Sequence, residues 1–159
     1  MAADRTMAAP RAAAPRGYAV ALWALWLAFV LRVAAQALQR WAPQRFLPPF
    51  EAFQGSSLSY DVLLASQLAI IAVMSHVAWR VSIGAVTRSR RIGRALFWIG
   101  GLYMAGSIAR IAVGLLVPGV PAWFTAWISG AFHLVLAAFV LTLASFHLQS
   151  GPGARPEPR

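Results

Sequence analysis

Four ionisable side chains stand inside long apolar runs of this sequence: Arg32, His76, Arg110 and His133. A charged or titrating group within a bilayer is costly, so each one needs a partner or a purpose. A guanidinium presents a planar fork of donors that matches carboxylate or phosphate oxygens. An imidazole can relay protons near neutral pH or ligate a metal or haem iron. Counter-charge is scarce, because the acids are only Asp4, Glu51, Asp61 and Glu157. Two of them, Glu51 and Asp61, share one aromatic-rich connection, "RFLPPFEAFQGSSLSYD", residues 45–61. Two chemistries follow for the cluster of Arg32, Arg110, Asp61 and Glu51. Either the acids neutralise the two arginines and lock the helices together, or the arginines hold an exogenous anion, a carboxylate or a lipid phosphate.

The intramembrane histidines, His76 and His133, raise the question of haem. His133 and His147 lie on nearly one helix face, at the separation used by two-haem cytochrome b helices. The facing run supplies only His76, and counting along straight helices leaves it roughly 7 Å off the depth of His133. No haem is therefore expected, and no metal, since no carboxylate lies near either histidine. The chain has no Cys, which excludes disulfides, thiolate zinc sites and Fe–S clusters. No Ser–His–Asp order, phosphate loop or zinc signature specifies a catalyst. An outer-face lipid-modifying enzyme using Asp61 or Glu51 remains a reading without a motif behind it. The histidines are expected to bond a neighbouring helix or, alternatively, to relay protons in a small oligomeric proton- or anion-coupled transporter.

These residues need helices to position them, and the composition supplies membrane helices. The 159 residues are 60% apolar and 11% charged, against about 25% charged in a soluble domain. Four apolar runs, at about residues 18–38, 60–81, 95–117 and 122–148, each suffice to cross a bilayer. Runs of this length without alternation are helices, since only helices satisfy their own backbone in hydrocarbon. The expected fold is an all-α transmembrane four-helix bundle over residues 17–149, with disordered cytoplasmic tails at 1–16 and 150–159. "PGVP", residues 118–121, makes the turn between the third and fourth runs. "LPPFEAF" is expected to lie along the membrane surface, with Pro49 and Glu51 suited to a first helical turn.

All 14 basic residues are Arg, and their placement orients the chain. Arg5, Arg11 and Arg16 precede the first run, while Arg80, Arg88, Arg90, Arg91 and Arg94 lie in or beside the "TRSRRIGR" connection. Arg155 and Arg159 follow the last run, and the other two connections hold only Arg40 and Arg45. The positive-inside rule puts both termini in the cytoplasm. Topology and attraction to anionic lipids account for the +10 charge, and no nucleic-acid partner is expected. "AQA", residues 35–37, looks like a cleavage site, but the run before it is longer than a signal h-region and contains Arg32.

Residues three or four apart share a helix face. Arg32 follows Ala24 and Ala28 and precedes Gln36; Asp61, Ala65, Ala69, Ala72 and His76 form one stripe; Arg110 stands between Gly106 and Gly114; His133 lies between Ser129 or Gly130 and Ala137. Small residues pack helices together in membranes, so each of these stripes is expected to face the interior. Oligomerisation is expected along Gly101, Ala105 and Ala109. Arg32 and Arg110 fall roughly 9–10 Å inside the outer ends of their runs, at matching depth.

Residues 47–70, "LPPFEAFQGSSLSYDVLLASQLAI", resemble a segment of small multi-pass bacterial membrane proteins of the hypothetical-protein class. The similar features are Leu47-Pro48, the aromatic-acid-aromatic step, Gln54-Gly55, Tyr60, and Leu63-Leu64 with Gln67. The resemblance implies a bacterial inner-membrane protein and no function. Small drug exporters share the span count but carry an acid in their first span, where this chain has apolar residues and Arg32. The expected role is a non-enzymatic membrane-complex subunit or ligand-binding component, with membrane lipids and a second copy or membrane-protein partner as contacts and no cofactor.

Overall fold

The computed structural model describes residues 16–53 and 58–149; the two tails and the Gln54-Gly55 step lie outside it. Among the described residues every regular element is helical. The long helices are α1 (Arg16–Trp41), α3 (Tyr60–Ser82), α4 (Arg90–Leu116) and α6 (Trp127–Leu148); α2 (Phe50–Phe53) and α5 (Ala122–Thr125) are single turns. The four long helices are each apolar and long enough to cross a membrane. The fourth starts at Trp127 rather than near residue 122, because Ala126 leaves helical geometry (φ −73°, ψ 65°) and separates α5 from α6. Pro49 leads into α2, its carbonyl accepting from Ala52 N at 3.0 Å, and Glu51 lies in the first turn. In the "PGVP" turn Gly119 takes φ +76°, which L side chains rarely adopt.

The long helices form an open row rather than a closed ring. Its order is α3, α1, α6, α4: α3 packs on α1, α1 on α6, and α6 most extensively on α4. Leu22, Phe29 and Val33 of α1, Met74, Ala78 and Val81 of α3, and Phe139 and Phe146 of α6 form the apolar core. The two end helices, α3 and α4, form no comparable seam with each other.

The α4–α6 seam follows a seven-residue period. Gly93, Gly100, Ser107 and Gly114 recur along α4, and Gly130, Ala137 and Ala144 along α6. A sustained heptad keeps one face of each helix against its partner along their whole length. Small residues at those positions let the backbones approach closely. A Cβ at Gly130 would come within 2.7 Å of Ile111, and one at Gly100 within 3.0 Å of Leu141. A Cβ at Gly114 would strike the backbone carbonyl of Phe124, which has no side-chain freedom to give way.

Two of the expected interior stripes are corrected. On α3, Asp61, Ala65, Ala69, Ala72 and His76 are exposed, and the buried face is Gln67, Met74, Ala78 and Val81. On α4, Gly106, Ala105 and Ala109 are exposed, and nothing approaches a Cβ at Gly101 or Gly106. The four-residue stripes lose to the heptads because a period of four drifts around a helix, whereas a period of seven returns to one side. Arg110 and Gly114 do face inward, but beside Ser107 rather than Gly106.

Gly114→Ala is expected to lower stability in detergent by about 1–3 kcal/mol, the range for forced overpacking. Gly101→Ala should be neutral or slightly stabilising, since Ala is the better helix former by about 0.5–1 kcal/mol. Thermal unfolding of both variants checks this; equal effects would contradict the assigned seam.

Candidate functional site

A cavity of about 270 Å³ lies among all four long helices, at the end of the row that carries α2 and α5. Arg32 from α1, Gln67 from α3, Arg110 from α4 and His133 from α6 line it, and Phe53 and Trp123 bring α2 and α5 to its wall. The sequence-expected polar residues Arg32, Arg110 and His133 therefore meet in one place. His76, Glu51 and Asp61 do not join them.

Each arginine is held by a main-chain carbonyl of a single-turn helix. Arg32, 6% exposed, donates through Nη2 to the Phe53 carbonyl at 2.8 Å and through Nη1 to Gln36 Oε1. The Arg32 guanidinium carbon also lies 5.5 Å from the Phe132 ring centre. Arg110, 7% exposed, donates through Nε (3.0 Å) and Nη2 (2.6 Å) to the Trp123 carbonyl of α5. Its guanidinium carbon stands 4.2 Å over the Trp123 ring, a cation–π geometry. In an unbroken helix the Trp123 carbonyl would accept from the amide four residues on, Trp127. Arg110 takes that carbonyl instead, which accounts for the break at Ala126. Gly114 leaves the room for α5 to lie on α4.

The acids take no part in this arrangement. Glu51 and Asp61 are exposed, and neither pairs with Arg32 or Arg110 among the described residues. The expectation that they supply counter-charge is corrected for a local reason. Glu51 sits in the first turn of α2 while the last residue of that helix, Phe53, turns inward. Asp61 is on the exposed side of α3, about 120° around the helix from the buried Gln67. Carbonyl oxygens satisfy guanidinium hydrogens, but they carry partial charges and leave both full positive charges in place.

Several polar atoms at this end have no partner. Among the described residues, Arg32 Nε, Gln67 Oε1 and Gln36 Nε2 are buried without a hydrogen bond. Gln67 Nε2 donates to Gln36 Oε1 at 3.3 Å, linking α3 to α1. His133 Nδ1 contacts the Ser129 carbonyl at 2.6 Å. That oxygen can only accept, so Nδ1 carries the hydrogen and the neutral ring offers Nε2 as an acceptor. Tyr103 packs edge-on against this ring, with centres 5.7 Å apart.

Sequence reasoning passed over Gln39 and gave Gln36 and Gln67 no role. Gln39 staples the connection before α2: its Nε2 donates to the carbonyls of Pro48 (2.7 Å) and Leu47 (3.3 Å), and its Oε1 accepts from Gln44 N. The available signal was three amide side chains within or at the ends of apolar runs, where each needs an interior partner.

A second cavity, of about 350 Å³, lies at the basic-loop end and is lined by His76, Arg80, Val86 and His147 among others. Depth counting had kept His76 apart from both of the other histidines; it and His147 instead share this wall, because α6 begins five residues later than expected. His147 Nδ1 accepts from Ser89 N at 3.2 Å, and the Arg88 guanidinium carbon stands 4.9 Å from the Phe146 ring. The loop before α4 is thereby fixed to the end of α6. Core residues Met74 of α3 and Ala137 and Phe139 of α6 come between the two cavities along their helices. No group of three or more metal-ligating side chains occurs among the described residues.

Comparison with family models, with curated proteins and with solved structures finds no match to this chain.

Gln39→Leu is expected to release residues 42–49 and, with them, the Phe53 carbonyl from Arg32. Loss of a net 1–2 kcal/mol of hydrogen bonding should speed amide exchange in that connection roughly tenfold or more. Hydrogen exchange read by mass spectrometry decides it; unchanged exchange there would refute the staple.

Proposed function

We propose that the chain is a multi-pass protein of a bacterial cytoplasmic membrane and a non-enzymatic binding component. It holds an anionic group between Arg32 and Arg110. The observation that carries this reading is the pair of buried guanidinium charges on one cavity wall, hydrogen-bonded to carbonyls and neutralised by no acid among the described residues. A charge at membrane depth costs at least about 2.5–3.5 kcal/mol. An anion lying between the two offsets that cost twice. Arg80, Arg88, Arg90, Arg91 and Arg94 cluster at the opposite end of the row, which supports placing that end in the cytoplasm. The binding cavity then opens in the outer half of the bilayer, beneath α2 and α5. Binding is favoured over conduction because packed core stands between the two cavities.

Titration of the purified protein with short-chain phosphatidic acid in zwitterionic detergent tests this. The thermal midpoint should rise with lipid for the wild type. Arg32→Gln and Arg110→Gln should each weaken the apparent Kd about tenfold, the equivalent of one charge-assisted hydrogen bond. Asp61→Asn should behave as wild type. A wild type indifferent to the lipid, together with a destabilised Asp61→Asn, would restore the acids as the counter-charge and overturn the proposal.

A further inference from the structure

The cavity carries more than positive charge. Beside the arginines it presents Gln67 Oε1, a buried acceptor without a donor among the described residues on a side chain only 6% exposed, and the His133 ring, whose Nδ1 is held by the Ser129 carbonyl so that Nε2 can accept. A simple oxyanion cannot satisfy them, since an oxyanion only accepts. Its ligand must bring negative charge and hydroxyl donors together. Charge matching alone would favour a phosphate monoester, which carries nearly two negative charges; the unpartnered Gln67 oxygen, with His133 Nε2 beside it on the cavity wall, favours an ester whose alcohol keeps free hydroxyls.

Size and openness add a second constraint. At about 270 Å³ the cavity falls below the roughly 300–1,000 Å³ of sites that enclose a whole small molecule. It has room for a headgroup and not for acyl chains. Yet α3 and α4 both line it without packing on each other. In a bilayer the gap between them faces lipid, and apolar Leu63 and Ile70 of α3 are among the residues that line the cavity.

We infer that the ligand is a membrane lipid with a hydroxylated phosphodiester headgroup, of the phosphoglycerol type. Its phosphate lies between Arg32 and Arg110, its head hydroxyls reach Gln67 and His133, and its chains leave sideways between α3 and α4. This rests on the anion-binding reading above and adds to it the headgroup and the route.

The test is native mass spectrometry of the full chain in micelles containing equal amounts of short-chain phosphatidylglycerol, phosphatidic acid and phosphatidylcholine, with free glycerol phosphate as a separate competitor. One phosphatidylglycerol per chain should be retained, about tenfold over phosphatidic acid, the discrimination expected of one or two hydrogen bonds. Phosphatidylcholine should be excluded, and free glycerol phosphate should not compete at equal concentration. His133→Phe and Gln67→Met, which remove one acceptor each, should each cut the phosphatidylglycerol preference several-fold. Asp61→Asn, away from the cavity, should leave it intact. Equal retention of phosphatidic acid and phosphatidylglycerol, unaffected by His133→Phe or Gln67→Met, would overturn the headgroup assignment while sparing the anion site. Effective competition by free glycerol phosphate would overturn the lateral chain route. Retention of no anion at all would overturn the anion-binding reading itself.

Discussion

A carbonyl oxygen can take a guanidinium's hydrogens but not its charge. Much of this structure follows from applying that constraint twice, at Arg32 and at Arg110. Both side chains are buried among apolar helices, and both are met by the carbonyls of single-turn helices, Phe53 of α2 and Trp123 of α5. At α5 the helix breaks where an unbroken one would have used the Trp123 carbonyl for itself. The break at Ala126, the seat for α5 at Gly114 and the amide staple at Gln39 each serve to bring a carbonyl to a charge. What remains after the hydrogen bonds are made is a cavity with two net positive charges.

The open row of helices fits this role better than a closed bundle would. Three seams, α3–α1, α1–α6 and α6–α4, hold the row, and the tightest uses small residues at heptad spacing on both helices. Such packing depends on backbone proximity rather than on large buried side chains, which suits helices whose outer faces stay apolar in lipid. The missing fourth seam gives the cavity a side entrance. A protein built to carry a solute across the membrane would need the core between the two cavities to part. Here Met74, Ala137 and Phe139 fill that level.

The four long helices were legible from hydropathy alone, since about 20 apolar residues have few other uses. The meeting of Arg32 and Arg110 was legible too, from their cost in a membrane and their matching depth; that His133 joins them and His76 does not was not, because α6 begins at Trp127 rather than near residue 122. Nor were the partners of the two arginines. Electrostatic reasoning at the level of residue types sees acids and bases, and it assigned Glu51 and Asp61 because they were the nearest acids. Backbone carbonyls appear in every residue and leave no mark in a sequence; only the placement of α2 and α5 brings the carbonyls of Phe53 and Trp123 to the two arginines. The faces of α3 and α4 were misjudged because stripes of four and of seven both looked plausible, and only contact with α1 and α6 chooses between them. Gln67 was visible as a letter but not as a wall of the site, because its role depends on α3 lying across from α4.

The most direct measurement is the stability of Gln67→Glu in zwitterionic detergent, free of added lipid. The substitution places a carboxylate of nearly the same shape on the cavity wall, at the loss of the long bond that Gln67 Nε2 donates to Gln36 Oε1. If the two guanidinium charges stand un-neutralised, the new acid supplies what the anion supplies. The midpoint should then rise by about 3 °C or more, a gain of roughly 1 kcal/mol for a chain of this size, and phosphatidic acid should no longer raise it further. A fall in the midpoint, with the response to phosphatidic acid unchanged, would mean that the cavity holds no charge seeking a partner, and would contradict the account.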